Sequence, residues 1–185
     1  MKGGVYLESA LIKNWVVQFQ SGNDDIFYEL YEELKTPVYT IVFRILYDEQ
    51  LSEDVMQETF IRVYRTLSSN TTEIKNPRAW IFQIARNLAI DYKRKQIELQ
   101  ELSDDLFDAK WSLESSVSTR IDIEIALLQL SLEDREIVTL HLNANLKFRE
   151  IAELLDRPIG TVLWRYRKAI QTVKEILNGG NIHVK

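Results

Sequence analysis

The chain contains no cysteine, which excludes a disulfide, a thiolate nucleophile and a zinc–thiolate site. Imidazole is almost as scarce: His141 and His183 are the two histidines among 185 residues. No nucleophile–base pair, metal-ligand motif or glycine-rich phosphate loop occurs, so a hydrolase built on the scattered carboxylates lacks its chemistry, and no metal or cofactor is expected. No apolar run reaches 18 residues, and Met1-Lys2-Gly3 leads into no signal-peptide core. A cytoplasmic protein is therefore expected. Proline is limited to Pro37, Pro77 and Pro158, and each punctuates a helical pattern.

What is present is ordinary globular material, 45% hydrophobic and 28% charged. It suffices for one domain or two small helical ones. The net charge of −5 speaks against a free-standing nucleic-acid binder, but the charge is unevenly placed. Between Ile97 and Ser116 stand Glu98, Glu101, Asp104, Asp105, Asp108 and Glu114 against a single Lys110. Between Arg157 and Lys174 stand Arg157, Arg165, Arg167, Lys168 and Lys174, with no acid between them. Phosphate responds to local charge, so the average conceals a basic face.

The most informative stretch is Asn76 to Lys95. Asn76 followed by Pro77 fits an N-cap with proline at the first helical position. Ile81, Ile84, Ala85, Leu88 and Tyr92 then recur at helical spacing. Gln83, Arg86, Asn87, Lys93, Arg94 and Lys95 occupy the other side, with Asp91 as its acid. A rod about 30 Å long, at about 1.5 Å per residue, thus has an apolar side and a wet, increasingly basic side. Trp80 and Phe82 add aromatics near its start. Aromatics, amides and cations are the groups that hold unpaired bases and backbone phosphates; the pattern alone favours the plainer reading, an amphipathic helix with a solvated face.

Around it the chain reads as helices throughout. Leu7 to Phe19 and Asp24 to Leu46 carry apolar stripes, with a kink or break expected at Pro37. Dense β-branching from Val38 to Ile45 makes a strand the local competitor there. Ser52 looks like the cap of a third helix running to about Leu67, and SSNTTEIK (68–75) is a polar loop. Gln96 to Arg120 is acidic and aperiodic; Leu102, Leu106, Phe107, Trp111 and Leu113 are scattered through it. It reads as a linker, either a tether or a segment that docks those side chains in a partner. From Ile121 the helical pattern returns. Ser131 caps the helix Glu133 to Leu142, with Asp134 three residues on, much as in a capping box. Lys147 to Leu155, the turn Asp156-Arg157-Pro158 and Ile159 to Leu177 fit a helix-turn-helix, and Asn178-Gly179-Gly180 stops the last helix. The expected fold is all-α: a four-helix N-terminal domain (1–95), an acidic linker (96–120), a C-terminal helix-turn-helix domain (121–178) and a tail (179–185). No internal repeat is visible.

Three constellations admit chemistry. In the last helix Val162, Tyr166, Ala169, Val173 and Ile176 form the core stripe, leaving Thr161, Leu163, Trp164, Arg165, Arg167, Lys168 and Gln171 on the remaining arc. Such an arc suits base edges and phosphate, or simply solvent. Asp54 and Glu58 share a face with Gln57 close by, too few oxygen ligands for a divalent ion. His141, beside Leu140 and Leu142, reads as a partly buried structural residue.

Read as strings, EDVMQETFIRVYR (53–65), NPRAWIFQIARNLAIDYKRK (76–95), LSLEDREIVTLHL (130–142) and FREIAELLDRPIGTVLWRYRKAI (148–170) closely resemble extracytoplasmic-function sigma factors, the small members of the bacterial sigma-70 family. The segments stand in the family's order and spacing over more than half the chain. The resemblance implies an initiation factor, not an enzyme, that binds core RNA polymerase and promoter DNA. It implies that Asp54, Gln57, Glu58 and Arg62 face the clamp helices of the largest polymerase subunit, with the β flap as a second contact. It implies that Thr66, Asn70, Arg78, Trp80, Gln83, Asn87, Lys93 and Arg94 recognise and open the downstream (−10) element, with a flipped base held near the 66–76 loop and Asn87. Arg149, Thr161, Leu163, Trp164, Arg165, Arg167 and Lys168 would read the upstream (−35) element. Leu163-Trp164 departs from the small or basic pair usual in the family. These two side chains cannot make bidentate base contacts; they suit thymine methyls, a sugar, or internal packing. The acidic linker would thread polymerase channels that otherwise carry nucleic acid. A further implied partner is an anti-sigma factor, free or membrane-bound. The rival from the residues alone is a helix-turn-helix regulator working without polymerase.

Overall fold

The computed structural model describes residues 3–69, 73–102 and 118–178. Among these residues the chain forms α-helices and no strand: α1 (Gly3–Gln20), α2 (Ile26–Leu46), α3 (Glu49–Ser68), α4 (Pro77–Leu102), α5 (Ser118–Leu128), α6 (Leu132–Leu142), α7 (Phe148–Leu155) and α8 (Ile159–Leu177). The all-α expectation holds. No described helix is long and apolar enough to cross a membrane.

Helix α2 runs unbroken across Pro37, against a break there and against the strand alternative. Leu34, Val38, Ile41, Val42 and Ile45 are all buried along it. Packing of that stripe outweighs a proline cost of about 3 kcal/mol. It ends at Tyr47, which takes the left-handed conformation at φ 55°. Helix α3 starts a turn earlier than expected. Asp48, not Ser52, is its N-cap and accepts from the Leu51 amide at 2.8 Å. Ser52 is buried inside the helix, its hydroxyl bonded back to the Asp48 carbonyl. Either residue type caps helices well; the aspartate lies at the end of the exposed turn.

Helix α4 opens as expected, with Asn76 Oδ1 accepting from the Ala79 amide at 3.2 Å. It does not stop at Lys95 but continues to Leu102, through the first seven residues assigned to the linker. The docking expected of Leu106, Phe107, Trp111 and Leu113 falls outside the described residues. Helix α6 is capped by Ser131, whose Oγ accepts from the Asp134 amide at 3.2 Å. The turn before α8 is made by Asp156 at φ 52°, a left-handed position that aspartate tolerates better than most residues.

Two small helical domains are visible, α1–α4 and α5–α8, and they pack on one another. One hydrophobic cluster joins Ile41, Ile45, Ile81 and Phe82 of the first to Ile137, Leu140, Leu146 and Ile151 of the second. A smaller core of Leu127, Leu130, Val138 and Ala169 belongs to the second alone. Helix α6 lies along α2, and α7 touches α4.

Candidate nucleic-acid and polymerase interfaces

At about 100° per residue, Gln83, Asn87 and Arg94 fall within about 40° of one another on α4. All three are exposed. Arg94 is held loosely, 3.6 Å from Asp91 and 3.7 Å from Glu98. Arg78, Arg86 and Lys93 fall on a different arc of the same helix, together with the fully buried Phe82, Ala85 and Ala89. The buried face is therefore wider than the sequence stripe, because α2 and the C-terminal domain cover this second arc. Tyr92, expected in the apolar stripe, is 37% exposed.

The cations on the covered arc all have protein partners. Arg78 is buried, and its Nε donates to the Ala144 carbonyl at 2.7 Å. Arg86 Nη2 lies 3.1 Å from Glu136 Oε2. Lys93 Nζ donates to the Ile45 carbonyl at 2.8 Å. Burial, reinforced by Arg135, lowers the Lys93 pKa. Burial raises the Glu136 pKa in spite of Arg86, the opposing influence, because the carboxylate is almost wholly removed from water. Trp80 is half-buried against the core. Of the remaining residues expected at the downstream element, Thr66 is half-buried near the end of α3, and Asn70 lies outside the described residues.

On α3, Asp54 and Gln57 are exposed. Arg62 Nε donates to Glu58 Oε1 at 2.8 Å, a mostly exposed pair one turn apart. Half of the acid–amide–acid face is thus answered locally, and Asp54 keeps its charge available.

On α8, Trp164 is 59% exposed, so packing inside the core is not its role here. Lys168 Nζ sits 5.3 Å from the centroid of its indole ring. Thr161 and Leu163 are half-buried, while Arg149, Arg167 and Lys168 are exposed. Along the chain no acid opposes these bases; in space two do. Arg165 is clamped by Glu133 Oε2 at 2.9 Å and Asp134 Oδ1 at 2.8 Å, and Arg157 reaches Glu133 Oε1 at 2.9 Å. The side chain of Asp134 serves Arg165 and the Ser131 hydroxyl, so the expected capping-box return is absent. The Asp134 bond raises the Arg165 pKa further. His141 is structural as expected: half-buried, stacked 4.2 Å from Phe148, edge-on to Tyr166, its Nδ1 2.9 Å from the Leu146 carbonyl.

Sequence reasoning missed the residues that join the domains. Arg44 donates to Glu124, Thr139 and Asn143, and Arg135 donates across to the Arg44 carbonyl. No local signal in the sequence marked them, since their partners lie in the other domain.

Residues 30–97 match the family description Sigma-70 region 2, and residues 120–172 match Sigma-70, region 4. The chain is 31% identical over 160 residues to the ECF RNA polymerase sigma factor SigM of Bacillus subtilis, covering 82% of this chain and 95% of that protein. It is 28% identical to SigW of the same organism, covering 90% and 97%. The fold is similar to that of the sigma factor RpoE of Bartonella quintana, solved with the anti-sigma factor NepR, at a TM-score of 0.69 and 22% identity over 84% of this chain and 98% of that one. It is also similar to CnrH, solved with the cytosolic domain of CnrY, at 0.63 and 20% over 91% and 98%. With both sigma regions present in order and such a relative along most of its length, the chain belongs to the extracytoplasmic-function sigma factors of the sigma-70 family.

Proposed function

We propose that this sigma factor divides promoter recognition between its two domains, residues 1–95 working downstream and residues 121–178 upstream. As a member of its family the chain directs promoter-specific transcription initiation with RNA polymerase. Asp54, Gln57, Glu58 and Arg62 grip the polymerase clamp. Gln83, Asn87 and Arg94 meet the opened strand together with Thr66, Asn70, Trp80 and Lys93, and Arg78 joins them once the second domain has moved away. Arg149, Thr161, Leu163, Trp164, Arg165, Arg167 and Lys168 face the upstream duplex.

The observation that carries this reading is the exposed amide–amide–arginine stripe of Gln83, Asn87 and Arg94 on α4. Amides donate and accept, which suits base edges, and the arginine suits phosphate. Nothing in such a stripe requires a catalytic group, and the chain acts as a non-enzymatic, cytoplasmic factor. The similar sigma factor RpoE of Bartonella quintana was solved with an anti-sigma factor, which supports an inhibitor of that kind as a partner here. Run-off transcription with purified core polymerase tests the whole: the chain should confer initiation at a restricted promoter set. Duplex binding that is equal with and without polymerase would favour a stand-alone regulator instead.

A further inference from the structure

We infer that the C-terminal domain is a reversible cover over the cationic face of α4, held shut by an exchange of arginines across the seam. This inference rests on the sigma-factor reading for its purpose, but its geometry is independent of that reading.

Arg44, at the end of α2, reaches into the C-terminal domain. Its Nη2 lies 2.7 Å from Glu124 Oε1, its Nη1 2.7 Å from Asn143 Oδ1 and 3.2 Å from Thr139 Oγ1. Arg135 reaches back. Its Nη1 donates to the Arg44 carbonyl at 3.1 Å, while its other nitrogens close the end of α5 on Leu127, Leu128 and Leu130. The same closure puts Glu136 on Arg86, the Ala144 carbonyl on Arg78 and Glu150 on Asn76. Two cations on the strand-opening helix, Arg78 and Arg86, therefore cannot meet a phosphate while the seam is shut. The upstream face is differently placed: Arg149, Trp164, Arg167 and Lys168 all remain exposed. The closed chain can offer its helix-turn-helix and not the covered arc of α4.

The seam is also imperfect. Arg86 Nε and Glu136 Oε1 are buried without a hydrogen-bond partner among the described residues. A buried ion pair with unmet atoms recovers little of its desolvation, so this pair adds little to a seam closed chiefly by the shared apolar cluster, and a partner with a large surface of its own is needed to displace the cover. A partner that binds only the open form sees its affinity reduced by the open fraction. Core polymerase is that partner.

The chain has no cysteine, so Glu29→Cys and Lys174→Cys accept a donor and an acceptor dye on the full-length protein, one on each domain. In free solution Arg44→Glu should lower energy transfer and speed association with core polymerase at least about fivefold. Glu124→Arg should do the same from the other side. The double variant Arg44→Glu with Glu124→Arg should bring both readouts back toward the starting protein, although residue 44 is still glutamate; this separates closure from any contact of residue 44 with polymerase. Circular dichroism shows that the domains stay folded. If a reversal costs helicity, Arg44→Gln and Glu124→Gln make the same comparison. Unchanged transfer in the single variants, or no recovery in the double, overturns the clasp. A chain that opens yet gains nothing toward polymerase leaves the clasp standing and removes the polymerase reading instead.

Discussion

Arg135 stacks its guanidinium 4.8 Å from the ring centroid of Tyr47, and the two residues close the C-terminus of α2 together. Tyr47 ends the helix in the left-handed conformation, its amide bonded to the Phe43 carbonyl at 2.7 Å, and Arg135 takes the next free carbonyl, that of Arg44, from the other domain. Burial pushes the Tyr47 hydroxyl up to about 12. The end of a helix in one half of the chain is thus finished by a residue 91 positions away in the other.

Glu136 gives the seam a pH dependence of definite sign. Burial raises its pKa above the ordinary 4.5; Arg86 and Lys93 oppose the shift, while Glu133 adds to it. The packed form therefore binds more protons than the unfolded one between the ordinary and the raised value. The stabilisation from this group is full below about pH 4.5 and is lost as the pH climbs through the raised value. Glu136→Gln should flatten that part of the melting-temperature profile. A wild-type and variant difference that stays constant across the window would show that Glu136 does not titrate there.

Phe82 is fully buried in the cluster that spans both domains. Phe82→Ala should cost about 3–5 kcal/mol. At about 2–4 °C per kcal/mol, the melting temperature should fall by roughly 6–20 °C. Asn87→Ala, on the exposed stripe, should change stability by no more than about 0.5 kcal/mol. It should instead reduce open-complex formation more than initial promoter binding, as permanganate reactivity of unpaired thymines would report. Equal loss in both steps would make Asn87 a structural residue.

These two residues also mark how far the sequence could be read. Phe82 and Asn87 lie within two turns of one helix whose start, period and cap were all legible, because each depends on neighbours fewer than five residues away. The bounds of α8 and the structural role of His141 were legible for the same reason. No break forms at Pro37 because burial of Val38, Ile41 and Ile45 overrides a local penalty. Ser52 misled because Asp48, four residues upstream, caps as well. Arg44, Arg135 and Glu136 drew no assignment, and Arg78 and Arg86 were expected on a wet or DNA-facing side, since all five have partners in the other domain. Periodicity records that a residue is off the core stripe of its own helix; it does not record which distant surface covers it.

Glu133 holds both Arg157, in the turn before α8, and Arg165, on α8. Glu133→Gln should free Arg157 for phosphate while Asp134 still holds Arg165, raising affinity for the upstream duplex a few-fold and steepening its salt dependence by about one unit. Gel shifts of the holoenzyme at several salt concentrations would show it. Unchanged affinity and slope would mean that Arg157 does not reach DNA.

Trp164 is where upstream specificity is most open to test. It is 59% exposed, with Lys168 over its ring. Loss of such a side chain leaves no internal cavity, and the melting temperature of Trp164→Ser should stay within about 2 °C of the starting protein, the shift expected for about 0.5 kcal/mol or less. An indole cannot make a bidentate base contact, but it can cover a thymine methyl or a sugar. Its removal should therefore alter which upstream sequences are chosen in a randomised promoter selection, most strongly at thymine positions. Its loss also releases Lys168 from the ring, so Lys168→Ala serves as the control. If Lys168 contacts only phosphate, that variant weakens every promoter alike. A Trp164→Ser protein whose selected sequences match those of the starting chain would place Trp164 outside the DNA interface. A large fall in melting temperature would instead show that the side chain packs against the folded free protein, contrary to its exposure.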